Sequence, residues 1–247
     1  MTRDEFHKLF KAPGPVVLPV IHVLDTAQTD ENIRILIGEG AAGVFLINHD
    51  FGVDGFTPIL REIRMAWPSL WMGCNFLAVT GRDAFPVLGD LAREGCPIDA
   101  YWADDARIDE NGKDASEAEE IARVRAGSGW DGLYFGGTAF KKQRPVDPAQ
   151  YRAAAAEAVG FMDVVTTSGI ATGEAADLNK IKDFRAGVGD GPLAIASGIT
   201  PENAREYADV DAFLVATGIN KDGDFYNIDA GRLAALMKTT RDLGREA

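Results

Sequence analysis

Residues 15–50, PVVLPVIHVLDTAQTDENIRILIGEGAAGVFLINHD, hold one copy of the pattern that decides the fold. The stretch opens on an apolar run of strand length, PVVLPVIHV (15–23), and closes on another, GVFLINHD (43–50). Between them, residues 29–39 carry Ile33, Leu36 and Ile37 at offsets of three and four among polar residues, the spacing of a half-buried helix. Strand, helix and strand in this order form a βα unit.

Working outward, the same unit recurs to the end of the chain. Further apolar runs stand at 70–77 (LWMGCNFL), 100–105 (AYWADD), 132–140 (GLYFGGTAF), 163–169 (DVVTTSG), 192–198 (PLAIASG) and 212–218 (AFLVATG). Successive starts lie 28, 27, 30, 32, 31, 29 and 20 residues apart, close to the length of one βα unit. Helical patterns fill the gaps at 115–126, 148–159 and 177–186, the last with Asp177 where an N-cap belongs. Thr200-Pro201 reads as a cap followed by proline at the first helical position, and a final helix is expected over about 229–243. Runs that are apolar on both faces, such as VFLI and AFLV, suit a parallel sheet covered on both sides. Even spacing and the absence of GxGxxG after the first strand favour closure over an open doubly wound sheet. The predicted fold is a single (β/α)8 barrel over 15–247, preceded by an extension over 1–14 in which His7 reads as solvent-exposed.

Composition narrows the function. The 25 Lys and Arg against 38 Asp and Glu leave a net charge of −13, which disfavours binding to nucleic-acid backbones or anionic membranes. No run approaches the ~20 apolar residues of a membrane span. The N-terminus mixes charges among apolar residues and lacks the apolar core of a signal peptide, so a cytoplasmic protein is expected. Two cysteines cannot build a disulfide scaffold, and Cys74, inside an apolar run, reads as a buried reduced thiol.

In such a barrel the active site forms from the loops at the C-terminal ends of the strands. His22, His49, Asp50, Asn75 and Asp104 fall there and are the candidate catalytic residues. Imidazole suits acid/base work near neutral pH; the alternative for His22 is a rim histidine hydrogen-bonded to a neighbour. A divalent metal on His22, His49, Asp50 and Asp104 is the less favoured reading, because neither HxH nor HExxH occurs, and no cofactor is implied. Strands seven and eight end in matching small turns, Ser197-Gly198 and Thr217-Gly218, where barrels often bind phosphate. A helix starting at Thr200 would aim its unpaired N–H groups at that anion, with Lys221 nearby. Lys141, Lys142 and Arg144 form a cationic loop after strand five, a candidate lid over an anionic ligand, and Ser168 joins it from strand six.

Three segments also carry a resemblance: Thr167-Ser168-Gly169-Ile170-Ala171-Thr172-Gly173-Glu174 with Asp177-Leu178, then Ser197 to Asn203, then Ala216-Thr217-Gly218-Ile219-Asn220-Lys221-Asp222-Gly223. Together with Ile21-His22 and Gly73-Cys74-Asn75, they resemble the BtpA/SgcQ family, most specifically over 163–226. The resemblance implies a barrel of the ribulose-phosphate-binding type. It also implies a connection with photosystem I biogenesis or carbohydrate metabolism.

Two functions are therefore expected to compete. One is an enzyme that binds a small phosphorylated sugar or phosphoribosyl compound and performs acid/base lyase or isomerase chemistry, with phosphoribosyl transfer less favoured. A Schiff-base mechanism is disfavoured because no lysine lies within a core run. The other is a non-catalytic assembly or regulatory factor that senses a phosphorylated metabolite. The expected partners are that metabolite and further copies of the chain in a homo-oligomer.

Overall fold

Each apolar run becomes one strand of a closed parallel barrel in the computed structural model, which describes residues 1–111, 114–141 and 143–246. The strands are β1 (Val16–Val23), β2 (Val44–Asn48), β3 (Met72–Asn75), β4 (Ala100–Ala103), β5 (Leu133–Gly137), β6 (Val164–Thr167), β7 (Leu193–Ile195) and β8 (Ala212–Val215). They pair in sequence order, and β8 returns to β1 with Val16 opposite Ala212 and Pro19 opposite Val215.

Around them run α2 (Thr26–Gly38), α3 (Val53–Ala66), α4 (Gly81–Arg93), α5 (Ser116–Ser128), α6 (Tyr151–Ala158), α7 (Leu178–Val188) and α8 (Ala230–Glu246), after an N-terminal α1 (Arg3–Phe10). Capping at Asp177 follows the sequence signal, its carboxylate accepting from the N–H groups of Asn179 and Lys180, and Asp25 caps α2 by accepting from the Gln28 N–H. One helix expectation fails. No α-helix begins at Thr200; residues 201–203 are turns, followed by a four-residue 3-10 segment, Ala204–Tyr207. The Asn203 side chain explains this, because it accepts from the Thr200 N–H at 2.8 Å and donates to the Gly198 carbonyl at 2.7 Å. That local loop competes with helix formation, as short polar side chains do.

Strand side chains alternate between two cores. Val16, Leu18, Val20, Phe45, Ile47, Trp102, Phe135, Val164, Ala194, Ala196, Ala212 and Leu214 fill the barrel interior. Val17, Ile21, Leu46, Met72, Cys74, Tyr101, Tyr134, Val165 and Phe213 pack outward with the helices. Cys74 is a free, buried thiol whose pKa burial pushes well up. Large and small residues interlock in the interior: a Cβ on Gly73 would come within 2.3 Å of the Phe45 ring.

The N-terminal segment closes the bottom of the barrel. Thr2 and Glu5 form a reciprocal capping box on α1, and the fully buried Phe6 joins the interior cluster beside Phe135. His7 is half-buried, where a solvent-exposed side chain was expected. Its Nε2 lies 2.9 Å from Asp211 Oδ1, because the turn of α1 that inserts Phe6 also lays His7 on the base of β8.

Candidate functional site

Strand parity decides which strand-end residues reach the mouth. His22 shares the inward parity of Val16, Leu18 and Val20; His49 follows Phe45 and Ile47; Asp104 follows Ala100 and Trp102. All three line a cavity of about 360 Å³ at the C-terminal mouth, together with Lys141 and the turns Ser197-Gly198 and Thr217-Gly218. Three of the five catalytic candidates and the small turns thus share one space.

His22 is held by a loop distant in sequence. Its Nδ1 donates to the Phe225 carbonyl at 2.7 Å, and the Phe225 ring stacks on the imidazole at 3.8 Å between centroids. His49 meets it edge-on at 4.7 Å. A carbonyl can only accept, so the proton sits on Nδ1 and Nε2 keeps its lone pair. Burial lowers the His22 pKa to about 4 against the pull of the Phe225 carbonyl, with His49 and Lys141 lowering it further. The imidazole is therefore neutral at physiological pH. Of the two readings weighed for His22, acid/base group or rim histidine bonded to a neighbour, the geometry has the hydrogen bond of the second on a side chain that also faces the cavity.

The loop over His22 is pinned from β1 and α2. Gln28 Nε2 and Asn32 Nδ2 donate to the Tyr226 carbonyl at 2.7 and 3.0 Å, and Asn32 Oδ1 accepts from the Ile228 N–H at 2.8 Å. Asn220 adds a second donor to the Phe225 carbonyl. Sequence reasoning missed Phe225 and Asn32. The visible signal was an aromatic pair, Phe225-Tyr226, inside a polar loop, and a polar Asn32 on the apolar side of a helix.

The remaining candidates separate into contact and support. Asn75 has inward parity but is fully buried and absent from the cavity wall; its Nδ2 donates to Asp104 Oδ1 at 3.1 Å and so holds the carboxylate. Asp50 lies outside the wall, exposed, and accepts from the Tyr226 hydroxyl at 2.9 Å. Lys141 lines the cavity with Nζ donating to the Ala196 carbonyl at 3.1 Å. Ser168 is buried behind it, accepting from the Lys141 N–H at 2.7 Å. Arg144 turns away to Glu110, Asp105 and the Ile108 carbonyl, because Glu110 is a fully buried carboxylate that needs a cation. Lys142 lies outside the described residues. Lys221 is exposed and away from the wall.

Lys180, which had no role in the sequence reading, joins two strand ends from α7. Its buried Nζ donates to the carbonyls of Ala139 and Ser168 at 2.6 and 2.8 Å, and burial lowers its pKa to about 8. Among the described residues, no three His, Cys, Asp or Glu side chains gather closely enough to share a metal ion.

The rim beside β7 and β8 is made of backbone. Among the described residues, nothing accepts from the N–H groups of Gly198, Thr217 or Gly218. Gly198 has φ +67°, and a Cβ there would lie 2.1 Å from the Ala175 nitrogen. A Cβ on Gly218 would lie 1.9 Å from the Ile199 carbonyl oxygen. Both glycines are therefore required by loop packing, whatever binds above them. Ser197 faces the other way, its hydroxyl accepting from the Gly169 N–H at 2.8 Å. No helix starts at Thr200, so the N–H groups presented at this rim are those of the loop backbone and not of a helix end.

Comparison with known proteins places these features in context. The model of the BtpA family matches residues 105–242. A mitochondrial protein of Caenorhabditis elegans, described as uncharacterized, is 36% identical over 84 residues, which are 34% of this chain and 30% of that protein. The match thus spans under a third of that relative's length. Among solved structures, phosphoribosyl anthranilate isomerase from Thermus thermophilus superposes with TM-score 0.60 at 16% identity, covering 92% of this chain and 99% of that one. The tryptophan synthase alpha chain of Legionella pneumophila gives TM-score 0.62 at 16% identity, with 100% and 98% covered. A structure titled native KDPGal gives 0.62 at 15%, with 93% and 96% covered. At such identities the likeness is one of fold.

Proposed function

The chain belongs to the BtpA family, and from that premise we propose that it is an enzyme acting on a small phosphorylated sugar or phosphoribosyl compound by acid/base lyase or isomerase chemistry. One observation carries the reading. A single cavity joins rim amides at Gly198, Thr217 and Gly218, unpaired among the described residues, to His22, His49, Asp104 and Lys141. The similarity in fold to a phosphoribosyl anthranilate isomerase agrees with this class of ligand.

The roles follow from the local chemistry. Rim amides donate hydrogen bonds to the phosphate oxygens, as free N–H groups at glycine turns do. Lys141, across the mouth, adds a cation. Asp104, steadied by Asn75, is the proton acceptor. His49, exposed at the edge, exchanges protons with solvent. His22, neutral and with its Nε2 lone pair available, accepts a hydrogen bond from the ligand and orients it.

Binding is tested first. Inorganic phosphate or ribose 5-phosphate at 100 times its Kd should stabilise the fold by roughly 2.7 kcal/mol, read as a rise in Tm. Thr217→Asp puts a carboxylate at an exposed rim position and is expected to weaken both ligands by about tenfold or more through like-charge repulsion, with the Tm of the free protein unchanged. Equal affinity in variant and wild type would remove the phosphate from this rim. Binding without turnover of any bound phosphorylated sugar would assign the non-catalytic role instead.

A second expectation concerns His22 alone. In nitrogen-detected NMR its Nδ1 should be protonated and its Nε2 bare from pH 8 down to about 4, whereas a free imidazole titrates near 6.5. The unfolded chain takes up that proton first, so this residue's contribution to stability is complete above pH 6.5 and lost as pH falls towards 4. A His22 titration near 6.5 in the folded protein would contradict the burial and the Phe225 contact together.

A further inference from the structure

The polar rim is only half of the cavity. Its floor is formed by Val20, Ile47, Trp102, Ala196 and Leu214, all of them buried. These belong to the apolar layer inside the barrel, in which Ala196, just past the end of β7, is the smallest of the five side chains and Trp102 the largest. The only side-chain nitrogen or oxygen among these five is Trp102 Nε1, a donor without an acceptor among the described residues. A chain of sugar hydroxyls pushed to this depth would give up its water and find no side-chain acceptor in return, which is costly for each hydroxyl. A flat apolar ring meets the opposite situation, since it loses little hydration and gains contact with an aromatic face. Above the floor stand the rings of His22 and Phe225, stacked at 3.8 Å, with His49 edge-on. The space of about 360 Å³ is in the range of pockets that enclose most of a ligand, with rim and floor both occupied.

We propose that the ligand is bipartite: a phosphate ester held at the β7–β8 rim that carries an apolar or aromatic ring seated on the floor against Trp102. This rests on the phosphate reading above and narrows it from compact polyhydroxylated sugar phosphates to ring-bearing phosphates, among which phosphoribosyl conjugates of a ring are one class. The ring's position accounts for the pairing of an apolar base with a polar rim in one cavity. Loss of the floor space is then expected to affect the ring and leave the phosphate largely untouched.

The test uses three probes by calorimetry: 3-phenylpropyl phosphate, 3-phenylpropanol and ribose 5-phosphate, each against wild type and Ala196→Leu, which fills the floor. The phenylpropyl phosphate should bind wild type at least tenfold more tightly than ribose 5-phosphate. In Ala196→Leu that advantage should vanish while ribose 5-phosphate binds as before. In the wild-type protein, nuclear Overhauser contacts should link the probe's ring protons to the Trp102 indole, a readout that does not depend on the variant folding. If ribose 5-phosphate binds as tightly as the phenylpropyl phosphate, or if no Overhauser contact to Trp102 is seen, the ring site is wrong and the phosphate rim stands. If 3-phenylpropanol binds at Trp102 and the phosphate adds nothing, the ring site stands and the rim is wrong. No binding by any probe overturns both.

Discussion

Asp211→Ala should cost the fold about 3–5 kcal/mol, the usual consequence of removing one member of a buried charge network. The carboxylate, fully buried at the base of β8, is shared among four donors. Oδ1 accepts from Arg3 Nε at 2.8 Å and lies 2.9 Å from His7 Nε2. Oδ2 accepts from Arg185 Nη1 and from the Leu193 N–H, both at 2.8 Å. One side chain therefore ties the N-terminal helix, the C-terminal half of α7 and the start of β7 to the barrel. Removing it leaves Arg185 largely buried without its partner and releases the helix that inserts Phe6.

Burial alone would raise the Asp211 pKa, but the bonds from His7, the Leu193 N–H and Arg3 outweigh it and hold the carboxyl below its ordinary value of 3.8. The folded protein thus protonates Asp211 less readily than the unfolded chain does. Its contribution is complete above the unfolded value and is lost as pH falls through the lower folded one. Urea denaturation followed by circular dichroism at pH 7 measures the loss. A midpoint within error of wild type would show that the network contributes nothing. Asp211→Asn, which keeps the shape and one acceptor, should fall between the two.

Gly198→Ala is expected to lose about 3 kcal/mol or more of stability and to lose phosphate binding along with it. Two costs add. A side chain at φ +67° is strained by about 1–2 kcal/mol. Its Cβ would also stand 2.1 Å from the Ala175 nitrogen and 2.2 Å from the Glu174 carbonyl carbon. Those are backbone atoms of the loop that presents Thr172 and Gly173 to the cavity, so relief of the clash displaces one wall of the site. Gly198→Asp would suffer the same fate before its charge could act. A loss of affinity in either variant is therefore no proof of ligand contact, and the exposed Thr217 is the position at which charge can be tested alone. Thermal unfolding decides the point: a Gly198→Ala protein with the wild-type Tm would mean that the 171–175 loop yields freely.

Particular residues show how far the site was legible. Ser197-Gly198 and Thr217-Gly218 stood out as paired small turns at the ends of two strands, and both reach the cavity. His22, His49, Asp104 and Lys141 were visible as chemistry-bearing side chains at strand ends, and they reach it too. Asn75, Asp50, Ser168 and Arg144 were just as visible and do not line it, since nothing in a strand-end position distinguishes a group that faces the ligand from one that supports its neighbour. Phe225 was missed because its place over His22 depends on contacts 203 residues apart in the chain.

The sequence by itself determined the barrel. Eight apolar runs at near-regular spacing, with helical periodicity and caps between them, leave a parallel sheet covered by helices as the arrangement that buries every run. It could not determine parity. A run such as VVLPVIHV is apolar at nearly every position, so no alternation marks which side chains face inward. That choice is made by barrel closure, through the register of β1 against β2 and β8, and it alone turns His22 to the mouth and Ile21 to the helices. Tertiary structure likewise decided the proton on His22 and the buried station of Asp211. Protonation follows from burial and from the partner that the fold brings up, and those partners lie on segments that the chain places far apart.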